Sequence, residues 1–227
     1  MMWFPPAHGN ELQERWSAFG HRTGLTGTAW NREGKRLIRS WARWPRRYHN
    51  TPHLLACLKH LAQVESQLTD PLAAQWALWF HDAIYIPWQP LNEEKSAAWA
   101  TRFMQQMQLP ASLREQVARH ILDTRHQAVP APGDAQWIVD IDLAILGQNE
   151  AVYRQFEKDV RSEYRWVRWS SYVKGRSAVL QSFLERPRIY STPWFHDRLE
   201  ASARANLTAA VRALADGHLF KNLELRA

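Results

Sequence analysis

Apolar residues recur at helical spacing through nearly every segment of this chain, and no alternating run is long enough to make a strand. That pattern confines the expected fold to the all-α class. The punctuation between the periodic stretches agrees with it. Asp70-Pro71 pairs an N-cap with a proline in the first turn and opens a helix carrying Ala74, Ala77, Leu78 and Phe80. Ser112-Leu113-Arg114-Glu115 reads as a capping box ahead of Val117, Ile121 and Leu122. Asp134 is placed to cap a helix running through Trp137, Ile138, Ile141 and Ile145, with Gly147 as its stop. Asn149 and Thr192-Pro193 open two later helices, the second reaching Gly217, and earlier helices are expected over 10–19, 29–43 and 51–67. The proline-containing stretches 84–91 and 127–134 read as loops.

A chain of 227 residues, 45% hydrophobic, suffices for one core, so a single domain over 1–227 is expected. The lone cysteine, Cys57, excludes an internal disulfide and makes a reducing compartment the default. The N-terminal residues Met1 to His8 show no basic segment followed by an apolar run, and no stretch approaches the roughly 20 apolar residues of a membrane span. A soluble, cytoplasmic protein without a membrane partner is the expectation. The net charge of +7 is unevenly spread: residues 1–50 carry nine Lys+Arg against three acids and residues 151–190 nine against four, whereas residues 51–150 carry six against eleven. A nucleic-acid binder is expected to be basic throughout its binding element. An acidic middle between basic flanks also suits a cation site facing an anionic substrate.

Thirteen tryptophans invite an aromatic binding surface, but Trp76 and Trp79 sit at spacings that pack helices together. Trp79 and Trp88 are the two nearest the acidic middle and the candidates for pocket walls. The chemistry concentrates in His49, His53, His81-Asp82, His126, Asp140 and Asp142. His81-Asp82 follows Trp76-Ala77-Leu78-Trp79-Phe80 directly, and Asp142 lies inside an equally apolar run. An uncompensated buried carboxylate costs several kcal/mol. A bound cation would neutralise both acids.

The order His53, His81-Asp82, Asp142 is H…HD…D, and with its surroundings it resembles the HD superfamily of metal-dependent phosphohydrolases. Those surroundings are Arg47-Tyr48-His49-Asn50-x-x-His53, Trp79-Phe80-His81-Asp82-Ala83-x-Tyr85, Asn92-Glu93-Glu94-x-Ser96-Ala97, Thr124-x-His126 and Asp140-x-Asp142-Leu143-x-Ile145-Leu146-Gly147. The likeness is to a poorly characterised bacterial subgroup and continues through Arg161-Ser162-Glu163-Tyr164, Gly175-Arg176 and Ala203-Arg204-Ala205-Asn206-Leu207.

The resemblance implies an HD-type helical bundle with a metal-site core at about 45–147 and C-terminal helices over 149–217 packed on it. Carried over by position, His53, His81, Asp82 and Asp142 would ligate a divalent metal (Mn, Fe, Zn, Co, Ni or Mg), with Asp140 as the fallback for Asp142. Successive helical residues diverge by about 100°, so His81 and Asp82 meet one ion only from a helix end. The implied reaction is hydrolysis of a phosphate ester or nucleotide by a metal-activated water, which Asp82 would orient. Glu93 would act as general acid or water-positioning group; helix-dipole stabilisation beside an Asn92 N-cap is its plain alternative. His49, one helical turn before His53, and His126 are candidates for a second metal or a substrate contact. Arg47, Arg161 and Arg176 are candidate phosphate donors. One ion is preferred to two. The competing reading is a non-enzymatic nucleotide- or nucleic-acid-binding protein with a structural metal. Oxygen-activating di-iron chemistry is a third, for which only His126 speaks.

Overall fold

A computed structural model describes residues 8–217; the N-terminal segment read above for a leader lies, apart from His8, outside them. Among the described residues there are ten α-helices, two short 3-10 turns and no strand, as the spacing predicts. In order they are α1 Gly9–Thr23, α2 Thr28–Trp41, α3 Thr51–Val64, α4 Pro71–Phe80, α5 Asn92–Gln106, α6 Ala111–Asp123, α7 Asp134–Leu143, α8 Glu150–Glu163, α9 Trp169–Leu184 and α10 Pro193–Ala215. The 3-10 turns Glu65–Gln67 and Ala144–Gly147 follow α3 and α7. Among the described residues no helix is long and apolar enough to cross a membrane. The chain divides into two compact units between Ile141 and Asp142, inside α7.

The first unit is organised by α4, which packs against α3, α5 and α6. Seven of its ten residues are buried, from Ala73 to Phe80 with only Gln75 interrupting, so it behaves as a central helix with no solvent face. Asp70 caps it by accepting from Ala73 N–H at 2.9 Å. Asp134 has a different task from the expected one. It is the first residue of α7, and its carboxylate accepts from Thr69 N–H at 2.8 Å and Asp70 N–H at 2.7 Å, fixing the chain where it turns into α4. Ser112 is also displaced from its expected role, because α6 begins at Ala111 with Pro110 at the cap position and no side-chain cap.

Tryptophans supply much of this unit's core. Trp16 on α1 and Trp30 on α2 stack at 4.1 Å and 13°. Each indole N–H donates to the other residue's carbonyl, at 3.0 and 3.1 Å. Each ring also lies on a glycine of the opposite helix, since a Cβ at Gly34 would collide with the Trp16 ring and one at Gly20 with Trp30. Trp76 and Trp79 are core residues, 1% and 0% exposed, and Trp41 donates its indole N–H to Trp79 O at 3.0 Å.

The second unit centres on α10, which packs against α9 and the Ala144–Gly147 turn. Gly147 is required here by closeness: a Cβ would run into Leu199. Asn206 on α10 donates to Leu146 O at 2.9 Å and Gln148 O at 2.8 Å, and the Tyr190 hydroxyl donates to Leu143 O at 3.0 Å. Asn149 caps α8 as expected, accepting from Val152 N–H at 3.1 Å.

Candidate metal centre

The site begins with the first turn of α3. Asn50 accepts from His53 N–H at 3.4 Å, which starts the helix and places His53 on its first turn with Cys57 one turn later on the same face. α4 supplies the facing group. It ends at Phe80, so His81 stands at its C-cap, the helix-end placement that the adjacency of His81 and Asp82 demands. The His81 Nδ1 lies 2.9 Å from Leu78 O. A carbonyl only accepts, so Nδ1 carries the proton and Nε2 presents its lone pair.

That lone pair faces the Nε2 of His53 at 3.2 Å. The Cys57 Sγ lies 3.7 Å from His53 Nε2. Asp142, on the last turn of α7, completes a group of four, and one donor atom from each of His53, Cys57, His81 and Asp142 lies within 4.8 Å of the others. The three residues from α3 and α4 are buried and Asp142 is partly exposed. Two imidazoles, a thiol and a carboxylate converging in this way form a donor set that fits a divalent transition ion. Two nitrogens held ~2.1 Å from one tetrahedral zinc stand ~3.4 Å apart, close to the separation of the two rings.

The other expected residues are placed around this group in distinct ways. Asp82 is buried, and its Oδ2 lies 3.6 Å from His81 Nε2, but it is not one of the four mutually close donors. Its carbonyl is held by Arg46, whose guanidinium donates to Asp82 O at 2.7 Å, Ala83 O at 3.0 Å and His49 O at 3.2 Å. Asp140 is fully buried, and the carboxylate in the cluster is that of Asp142. His49 precedes the Asn50 cap and therefore lies off the α3 helix; its ring stacks on Tyr85 at 3.9 Å.

Glu93 lies in the first turn of α5. Burial pushes its carboxyl above the usual carboxylate value, with Asp82 and Glu94 adding to the rise and His126 opposing it. Asn92 is not the N-cap of α5: that position falls to Leu91, in the left-handed region at φ 66°, and Asn92 bonds instead to Ile86 N–H, Ile86 O and Gln89 O. These bonds hold the 84–91 loop against the start of α5. His126 sits in the loop after α6 in a left-handed conformation, φ 58°. Thr124 of the same motif donates to Ile121 O at 2.7 Å.

Of the candidate phosphate donors, Arg47 is exposed. Arg161 donates to Tyr164 O at 2.6 Å and Val167 O at 3.1 Å. Arg176 makes a two-pronged pair with the buried Glu157, at 2.6 and 3.0 Å. Both are thus occupied within the second unit. Trp79 is enclosed in the core, and Trp88 is 58% exposed.

Cys57 is the residue that the H…HD…D order misses. Its signal is the spacing His53-x-x-x-Cys57, one helical turn, which an apolar helix with a capped start carries without ambiguity. Compared with protein-family models, curated proteins and solved structures, the chain matches none.

Proposed function

We propose that this chain is a metal-dependent phosphohydrolase of the HD type, acting on a phosphate ester or nucleotide. The observation that carries the reading is the convergence of His53, His81 and Asp142, three residues of the H…HD…D order drawn from three separate helical elements, on one small volume. A divalent cation bound there would polarise a phosphate ester and supply an activated water. The protein's own residues then have separable tasks. His81 is oriented by Leu78 O and His53 by its place in a capped turn. Asp82 lies beside His81 with its backbone clamped by Arg46, which suits it to orient a water at the edge of the donor group. Glu93, its carboxyl raised by burial and electrostatically linked to Asp82, is suited to hold a proton for a leaving oxygen.

One observation favours the second reading, a protein whose metal is purely structural. With Cys57 the chain offers four protein donors, enough to close a tetrahedral shell. The test is metal content and turnover measured together on wild type, Asp142→Asn and Asp82→Ala, with p-nitrophenyl phosphate and a nucleoside mono-, di- and triphosphate panel. The hydrolase reading expects about one transition ion in the wild type together with turnover. Asp142→Asn should weaken metal binding by more than the ~10–100-fold that outer-shell changes cost. Metal bound by the wild type with no turnover on any ester selects the structural reading.

A further inference from the structure

The H…HD…D order accounts for nitrogen and oxygen donors alone. We infer that Cys57 is a sulfur ligand of the same site, and that the site therefore belongs to the zinc and cobalt class of ions rather than the magnesium class. This rests on the metal-binding part of the reading above and not on the hydrolase part.

Three observations carry it. Cys57 is 1% exposed, and its sulfur is among the four donors within 4.8 Å of one another. Its Sγ stands 3.7 Å from His53 Nε2, against the ~3.6 Å separating a sulfur and a nitrogen that share one tetrahedral zinc at ~2.3 and ~2.1 Å. It also stands 3.8 Å from His53 Nδ1. The helical register is the cause: residues four apart on α3 superpose, so the thiol is carried to the ring that also faces His81.

The chemical consequence follows from donor softness. A thiolate with two imidazoles selects zinc, cobalt or another borderline ion, whereas magnesium prefers an oxygen shell and keeps its waters. The sulfur replaces an oxygen donor that a carboxylate such as Asp82 would otherwise have to provide.

The experiment is cobalt loading followed by absorption spectroscopy on wild type, Cys57→Ser and Asp82→Ala, with helix content by circular dichroism on each. Wild type should bind cobalt and show a near-ultraviolet sulfur-to-cobalt charge-transfer band that excess magnesium does not remove. Cys57→Ser should lose that band, and Asp82→Ala should keep it. Wild type that binds cobalt without the band, or a Cys57→Ser protein that retains it, overturns sulfur ligation and leaves the metal site standing. Wild type that binds no cobalt overturns both. Because Cys57→Ser could fail to fold, zinc-edge X-ray absorption on the wild type gives an independent readout. A sulfur scatterer at ~2.3 Å is expected, and a shell of nitrogen and oxygen alone overturns the inference.

Discussion

The His81 ring is oriented by a single carbonyl. Because Leu78 O accepts a hydrogen bond from Nδ1–H, the other ring nitrogen presents its lone pair toward His53, and the direction of this ring is set by backbone that belongs to α4. Glu93 shows the cost of placing an acid nearby. Burial raises its carboxyl above the ordinary value of 4.5, so the folded state favours the protonated form. The contribution to stability is then complete below about pH 4.5 and is lost as pH rises through the raised value. Glu93→Gln should melt higher than wild type near pH 7, with the difference vanishing near pH 4, and should lower turnover by ~10²-fold if Glu93 moves a proton. Equal melting temperatures at neutral pH would refute the burial account. At this scale the sequence is legible in its motif, which singles out His53, His81 and Asp142, three residues that lie in the group of mutually close donors. It was not legible where an argument about compartments occupied the residue, as it did for Cys57.

Among the elements, the α1–α2 pair carries the sharpest constraint. Trp16 and Trp30 exchange indole hydrogen bonds and each rests on the other helix's glycine. Neither half of the arrangement tolerates added volume, since a methyl at Gly34 meets the Trp16 ring. Gly34→Ala should destabilise the protein by about 1–3 kcal/mol, read as a lower denaturant midpoint with an unchanged slope. A neutral effect would show that the rings can shift apart. Helix boundaries were readable from Asp70 and Asn149, whose side chains accept from the third residue onward. The reading fails at Ser112 because α6 starts one residue before it, with Pro110 at the cap, and at Asn92 and Asp134 for a shared physical reason. A polar side chain near a helix start satisfies whichever backbone N–H or carbonyl tertiary packing brings nearest, and for Asn92 and Asp134 that partner lies in another segment.

For the molecule as a whole, helical periodicity made the all-α class legible from the start. The division between Ile141 and Asp142 had no such signal, because it falls inside α7, where no Gly, Pro or Ser run marks a boundary. The expectation of one domain over 1–227 rests on length and composition. Metal binding should register globally: an ion that binds only the folded chain adds ~2.7 kcal/mol when present at about 100 times its Kd. Zinc should therefore raise the melting temperature, and a chelator should return it to the metal-free value. A melting curve indifferent to both would argue against binding to the native state. The stacked indoles of Trp16 and Trp30 give such experiments a local gauge. Two rings 4.1 Å apart couple their electronic transitions, so the circular-dichroism bands of these buried indoles carry a contribution from the contact. Loss of that contribution would time the parting of α1 from α2, independently of when the helices themselves unwind.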